Sequence, residues 1–193
     1  MCLKATPPDI DDSTEALESI VESTMHAKAI LDNLRTLFGS AKLTEERVDL
    51  NRISLEVLKT LRPELRSRLD IKTELASELP LVLGHKGQLQ EVVANLIHNA
   101  VDAMNSEAGP WVLIVRTERL ANNKIAIAVE DTGPGVSPQD AEAIFDAFVT
   151  TKPSGMGLGL AISKMIVERH AGTLSVSSAI PHGAIFRVTL PVG

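Results

Sequence analysis

Polar side chains recur at helical spacing in the segment from Glu91 through Asn95-Leu-Ile-His-Asn99-Ala-Val-Asp102-Ala. At about 100° per residue they share one narrow stripe of a helix predicted over Gly87 to Met104, and its opposite face is apolar. A carboxamide oxygen is a hard ligand that suits Mg²⁺, so Asn99 is predicted to bind a metal ion, with Asn95 and Asp102 beside it. A solvated helix face is the alternative. Two asparagines four residues apart are poor helix formers, however, which favours a functional stripe.

Asp131 ends a strand rich in β-branched residues and alanine, and the turn Asp131-Thr-Gly133-Pro-Gly135 follows at once. We expect its carboxylate at the edge of the core, where an unpaired charge is costly, so it needs a hydrogen-bond donor. An adenine amino group supplies one, while Gly133 and Gly135 let the backbone approach a flat ring without interference from a Cβ atom. Taken alone, the same residues fit an ordinary Asp-x-Gly turn cap.

A third motif, Gly155-Met-Gly157-Leu-Gly159-Leu160, precedes a strongly helical run. Its glycines free backbone N–H groups to form an anion nest, and the helix that they open directs its positive end at phosphate. A flexible linker is the alternative, and the spacing is neither that of the dinucleotide-binding fingerprint nor that of a P-loop. Lys152 in the preceding loop is a candidate for neutralising a γ-phosphate, although a lone loop lysine is more often solvated. The three motifs together predict a nucleoside triphosphate site.

Composition restricts the classes of protein to which the chain can belong. Its 193 residues, 44% hydrophobic and 3% aromatic, suit a single α/β domain with an attached element. The formal net charge of −6, with scattered Lys and Arg, excludes an extended nucleic-acid surface. Cys2 is the single cysteine, which excludes an internal disulfide and a cysteine metal cluster. No apolar run approaches the ~18 residues that span a bilayer, so we expect a cytoplasmic protein without membrane contact.

Apolar periodicity and turn residues predict strands and helices that position these motifs. The predicted strands are Val48–Leu50, Asp70–Ala76, Leu81–Leu83, Trp111–Leu120, Lys124–Asp131, Thr173–Ala179 and Ala184–Leu190. The predicted helices are Ile53–Arg68, kinked at Pro63, then Gly87–Met104, a short one over Pro138–Ile144, and Gly157–His170. Two hairpins are expected, one across Ala121-Asn122-Asn123 and one across Pro181-His182-Gly183, and Phe145 to Met156 is expected to be a mobile loop. The histidines His85, His170 and His182 are expected on the surface.

The N-terminal part has a different pattern. Its apolar positions from Leu17 to Phe38 step by alternating threes and fours, as in the seam of a helical hairpin or coiled coil. No other predicted helix matches its length, so we expect this seam to pack on a second copy of the chain.

With Phe145, Phe148 and the loop Thr150-Thr151-Lys152-Pro153, the three motifs closely resemble the ATP-binding catalytic domain of two-component sensor histidine kinases. The resemblance implies the Bergerat fold, an α/β two-layer sandwich with a mixed sheet packed on three helices, here preceded by a long N-terminal helix. It divides the chain into a loop or tail over 1–12, a partial dimerisation and phosphotransfer helix over 13–47, and an ATP-binding catalytic domain over 48–193.

The same resemblance implies ATP and Mg²⁺ as ligands. It gives phosphate and Mg²⁺ contacts to Asn95 and Asn99, and the adenine amino group to Asp131. Gly133 and Gly135 would approach the base. The end of an ATP lid would comprise Gly155, Gly157, Leu158, Gly159 and Leu160.

Asn95 separates two branches of the group. Hydrolytic relatives carry a water-activating Glu four residues before the metal-binding Asn, where this chain has Asn95. An amide cannot act as a general base, so the resemblance implies a protein-histidine kinase that keeps ATP for transfer to histidine in a phosphorelay. A response regulator would be the partner of the full-length parent. His26 lies mid-way along what resembles the second hairpin helix, so the phospho-accepting histidine is expected outside this chain, which would bind ATP without autophosphorylating.

Three alternatives remain open from the sequence. The chain could be a Bergerat-fold ATPase, with Glu91 as a candidate base, or a Ser-specific protein kinase of the same fold. It could also be a degenerate binding module that recruits a partner through the Leu17–Phe38 seam.

Overall fold

The computed structural model describes residues 44–61, 69–105, 109–150 and 156–193. The predicted N-terminal helix, the kink at Pro63, His26, Lys152 and Gly155 lie outside these residues.

The described elements are seven strands, three α-helices and one 3₁₀ turn. In chain order they are β1 (Glu46–Val48), α1 (Leu50–Leu61), β2 (Leu69–Glu74), β3 (Val82–Gly84), α2 (Lys86–Met104), β4 (Trp111–Leu120), β5 (Lys124–Asp131), a 3₁₀ turn (Ala143–Phe145), α3 (Gly159–Arg169), β6 (Thr173–Ser178) and β7 (Ala184–Pro191). Both predicted hairpins are confirmed. The first turn lies at the predicted residues, while the second is longer than predicted and covers residues 179–183.

A five-stranded mixed sheet forms one layer, in the order β2-β4-β5-β7-β6. β2 runs parallel to β4, and the other neighbours are antiparallel. Alternate side chains of β4 and β7 are buried, which is the period-two pattern of strands that turn one face to a core. The three helices form the second layer, where α2 contacts α1, α3, β4 and β5. The predicted α/β two-layer sandwich with a mixed sheet on three helices is therefore confirmed.

Some element predictions were wrong at their edges or in kind. Leu50 begins α1 and does not end a strand, because Oδ1 of Asp49 accepts the N–H groups of Asn51 and Arg52 and so caps the helix. The short helix predicted over Pro138–Ile144 is absent. The hydroxyl of Ser137 instead bonds Asp140 in a local turn, and only the 3₁₀ turn at Ala143–Phe145 follows.

One buried histidine contradicts its predicted surface position. The His170 side chain is only 8% exposed at the end of α3. Its Nδ1 donates to the carbonyl of Ile166 at 2.7 Å, and its Nε2 accepts the N–H of His85 at 3.0 Å. Gly84 leaves room for the ring, since a Cβ atom there would overlap it. The sequence pattern missed this position because a histidine beside a turn glycine is as typical of a surface as of a helix C-cap.

Candidate nucleotide site

The polar stripe of α2 lies on the less buried side of the helix. Glu91, Asn95 and Asn99 are half-buried, while His98 and Asp102 are exposed. The apolar face packs into the core: Val92, Val93, Leu96, Ile97, Ala100 and Met104 are buried, and Ala103 is half-buried. The helix therefore offers its amides and carboxylates along one accessible edge.

Asp131 is the most deeply buried acidic side chain among the described residues, with 1% of its surface exposed. The N–H groups of Gly133 and Ala184 donate to its Oδ1 at 2.8 and 3.3 Å. Burial raises the pKa of this carboxyl, Glu130 adds to the rise, and both backbone donors and the nearby His182 oppose it. Because both of these hydrogen bonds end on Oδ1, a hydrogen-bond donor of a ligand would be accepted by Oδ2.

The turn between β6 and β7 packs closely against the backbone of the turn that begins at Asp131. A Cβ atom on Gly183 would overlap the carbonyl oxygen of Asp131, and one on Gly135 would lie 2.8 Å from the carbonyl oxygen of Gly183. Both glycines have positive φ, +112° and +81°. Such close backbone contact is open only to glycine, so these two positions fix how the two loops fit together.

His182 is a part of this region that sequence reasoning did not assign to it. Nδ1 of His182 lies 3.3 Å from the carbonyl oxygen of Gly133, and Ala184 uses its backbone N–H on Asp131. His182 is exposed, as predicted, yet it borders the candidate base-binding turn. No motif spacing links residue 182 to residue 133, because the contact depends on the β6–β7 turn folding over a loop that lies 49 residues away.

Two glycines of the third motif have packing reasons to lack a side chain. Gly157 has a φ of +65°, and a Cβ atom there would lie 2.5 Å from the carbonyl oxygen of Val149. Its own carbonyl accepts the N–H of Phe148 at 3.0 Å. The positive φ also explains why α3 begins at Gly159 and not at Gly157 as predicted, since a right-handed helix excludes that conformation.

The start of α3 is packed on Asn95 of α2. A Cβ atom on Gly159 would lie 2.6 Å from Oδ1 of Asn95, and the Asn95 Nδ2 donates to Oγ of Ser163 at 2.8 Å. The structure thus brings the first and third sequence motifs into direct contact. Leu158 and Leu160 flank Gly159 and are half-buried.

The two phenylalanines of the loop before the third motif differ in environment. Phe145 is 8% exposed and packs edge-on against Phe186, with ring centroids 6.5 Å apart, and Nζ of Lys164 lies 5.7 Å from its centroid. Phe148 is 76% exposed with a φ of +69°. Phe145 therefore anchors this loop to the domain, and Phe148 does not.

The sequence of residues 84–193 matches the family described as histidine kinase-, DNA gyrase B- and HSP90-like ATPases. The chain belongs to this family. The resemblance to the ATP-binding catalytic domain of sensor histidine kinases is confirmed by the relatives and structural neighbours described next.

Several curated relatives are sensor kinases. The C4-dicarboxylate transport sensor protein DctB of Rhizobium meliloti is 37% identical over 180 residues, which is 92% of this chain and 28% of DctB. Sensor protein FixL of Bradyrhizobium diazoefficiens is 32% identical over 189 residues, 97% of this chain and 37% of FixL. The chain thus spans less than two fifths of either relative.

Solved structures share the fold. The mycobacterial sensor histidine kinase MprB has a TM-score of 0.68 and 28% identity, covering 77% of this chain and 97% of that one. Full-length ShkA, in complex with AMPPNP, has a TM-score of 0.77 and 25% identity, covering 93% of this chain and 39% of ShkA. Across the described ranges, no helix combines the length and apolar character needed to cross a membrane.

Proposed function

We propose that this chain is the ATP-binding catalytic part of a sensor histidine kinase, which transfers the γ-phosphate of Mg-ATP to a histidine in a phosphorelay. The observation that carries the proposal is the buried Asp131 carboxylate. Its Oδ1 is occupied by two backbone N–H groups, so its Oδ2 offers an acceptor at the core edge. The exocyclic amino group of adenine is a donor that matches it. The AMPPNP bound by the similar ShkA supports a nucleotide as the ligand.

The other candidate site residues suit the phosphate groups of the same nucleotide. Among the described residues, no group of three or more His, Cys, Asp or Glu side chains is arranged to hold a metal ion. The half-buried Asn99 amide suits Mg²⁺, which takes most of its ligands from water and phosphate. We assign Asn99 to Mg²⁺ and place Asn95 and Asp102 near the phosphates. Lys152 and Gly155 remain assigned to the phosphates from the sequence alone, as does the lid role of Gly157, Leu158, Gly159 and Leu160.

Asn95 favours transfer over hydrolysis. A carboxamide cannot accept the proton of an attacking water, and this amide already donates to Ser163. Within the proposed function, bound ATP is therefore preserved for a protein side chain. We further propose a second copy of the chain as partner through the Leu17–Phe38 helix, a response regulator as partner of the full-length parent, and a cytoplasmic location without membrane contact for this part.

Calorimetric titration with a non-hydrolysable ATP analogue and Mg²⁺, combined with a steady-state assay of ADP release from ATP, tests this proposal. We expect binding without steady turnover. Turnover that is lost in Asn95→Ala would support a clamp-type ATPase instead. Failure to bind at millimolar Mg-ATP would support a binding module and contradict the proposal.

Replacement of the proposed metal ligand should weaken the binding of the phosphates and leave the binding of the base unchanged. We expect Asn99→Ala to weaken Mg-ATP binding by about tenfold or more, because a charge-assisted contact contributes about 1.5–3 kcal/mol. Adenosine affinity should stay unchanged. Asn105→Ala at the exposed C-cap of α2 is the matched control. Equal losses for adenosine and Mg-ATP in Asn99→Ala would contradict the assignment.

The pH dependence of adenosine binding should follow the ionisation of the Asp131 carboxyl. The carboxylate accepts the amino proton only when it is ionised, and burial raises its pKa above the ordinary range of aspartic acid. We therefore expect affinity to be full above that raised pKa and to fall by up to about tenfold per pH unit below it, for one proton. Adenosine is used because it carries no phosphate to titrate. His182→Gln should move the midpoint to higher pH, since the imidazole lowers the pKa of Asp131. A profile that is flat through the acidic range would contradict this reading.

A further inference from the structure

Two helices of the candidate site are joined by a hydrogen bond between side chains. Asn95 on α2 donates through Nδ2 to Oγ of Ser163 on α3, at 2.8 Å. Ser163 is 2% exposed, so its hydroxyl is held inside the protein and not at a solvated surface. No sequence motif contains Ser163, and the proposed function does not use it.

The Asn95 amide is enclosed by α3 at two points one helical turn apart. Ser163 accepts from Nδ2, and Gly159 lies so close to Oδ1 that a Cβ atom there would be 2.6 Å from the oxygen. In this arrangement the Ser163 hydroxyl is the acceptor, and the hydrogen bond holds the Asn95 side chain against α3. Ser163 therefore restrains the position of the Asn95 amide.

We infer that Ser163 is a positioning residue for nucleotide binding, which acts through Asn95. By holding the amide in place, it positions Asn95 toward the phosphates, and it joins the first turns of α3 to α2. This inference rests on the proposed Mg-ATP site. It assigns Ser163 no contact of its own with the ligand.

Removal of the Ser163 hydroxyl should weaken nucleotide binding because it removes a buried hydrogen-bond acceptor. Without Oγ, the Asn95 N–H group has no partner at this position, and the amide is free to rotate by half a turn. An amide that is no longer held in one orientation binds phosphate less well, because ordering it again costs free energy when the ligand binds.

An isosteric pair of variants separates the hydroxyl from the shape of the side chain. Ser163→Thr keeps an acceptor and adds a methyl group, while Ser163→Val has the same shape without the hydroxyl. We expect Mg-ATP affinity close to wild type in Ser163→Thr and about threefold to tenfold weaker in Ser163→Val, as for one net hydrogen bond. Ser163→Ala, which adds no bulk, should be weaker by a similar factor. Adenosine affinity should be equal in all four proteins.

A matched control distinguishes this effect from general loss of packing. Ser54 is also fully buried, and its hydroxyl donates to the carbonyl of Leu50 within α1. We expect Ser54→Ala to leave both affinities unchanged. A second readout is the Asn95 side-chain NH₂ resonance in a ¹⁵N spectrum. The chemical shift of this group should change when Mg-ATP binds to the wild type. The shifts of its two protons should differ less in Ser163→Ala than in the wild type.

The outcomes distinguish this inference from the proposed function. Absence of Mg-ATP binding by the wild type would overturn the proposed site and the inference with it. Wild-type binding with equal affinities in Ser163→Thr and Ser163→Val would overturn the inference alone. Equal losses for adenosine and Mg-ATP in Ser163→Val would do so as well, because they would show a purely structural role.

Discussion

Asp131→Asn should reduce ATP affinity by about tenfold to a hundredfold, since a hydrogen bond to a charged group contributes about 1.5–3 kcal/mol. The asparagine Oδ1 can still accept the N–H groups of Gly133 and Ala184. That arrangement places its NH₂ group where the carboxylate offered Oδ2, so two donors meet at the adenine amino group. Calorimetry with ATP measures the loss. Inosine triphosphate, whose base has a carbonyl oxygen at this place, should lose less affinity than ATP or gain some.

The same variant should be at least as stable as the wild type at neutral pH. Because the folded-state pKa of Asp131 is raised, ionisation of this group opposes folding, and the wild type loses stability as pH rises through that pKa. An uncharged asparagine has no such loss. Urea unfolding of both ligand-free proteins at acidic and neutral pH measures the difference, which should favour the variant more at neutral pH. A variant that is markedly less stable at neutral pH would show that the carboxylate is structural, and the affinity loss would then need another explanation.

Gly183→Ala should lower the free energy of unfolding by about 3 kcal/mol or more. A left-handed conformation costs a residue with a side chain about 1–3 kcal/mol, and the new Cβ atom also overlaps the carbonyl oxygen of Asp131, which is backbone and cannot swing away. The β6–β7 turn must move, and the bond from Ala184 to Asp131 is then lost. ATP affinity should fall together with stability, as urea unfolding and calorimetry would show.

Gly87→Ala is the matched control for this substitution. A Cβ atom at Gly87 would meet nothing within 4 Å, and the residue lies in the first turn of α2. Alanine is favoured over glycine in helices, so stability should be unchanged or higher by up to about 1 kcal/mol. If both alanine variants had the same stability, the close packing at Gly183 would not be a constraint on the fold.

The sequence predicted most of the fold because its periodicities are strong. β4 alternates between buried and half-buried side chains, β5 is a continuous apolar run, and Asn122 and Asn123 adopt the positive φ values of a tight turn. The hairpin was therefore predicted at its true residues. The helix that carries the polar stripe was found within one residue of its start. Short elements were predicted less well, because local side-chain hydrogen bonds decide between a helix and a turn. The Asp49 side chain caps a helix, whereas the Ser137 side chain forms a turn.

The parts of the candidate site that the sequence missed are joined by tertiary contacts without a local pattern. Ser163 lies on the buried face of α3 near its start, and nothing in its neighbours marks it as the partner of Asn95, 68 residues earlier. Ala184 bonds Asp131 through its backbone N–H, which no side-chain motif records. Asp131, by contrast, was found because a charged residue at the end of an apolar strand is unusual in any fold.

The two hydrogen bonds of His170 have a consequence for a protein proposed to phosphorylate histidine. Phosphoryl transfer to imidazole needs a ring nitrogen with an available lone pair. In His170 the lone pair of Nε2 accepts the N–H of His85, and Nδ1 carries the proton donated to Ile166. Modification at Nε2 would require that the bond from His85 breaks and that the buried ring becomes accessible. The domain thus contains a histidine that is shielded from the chemistry that it is proposed to catalyse.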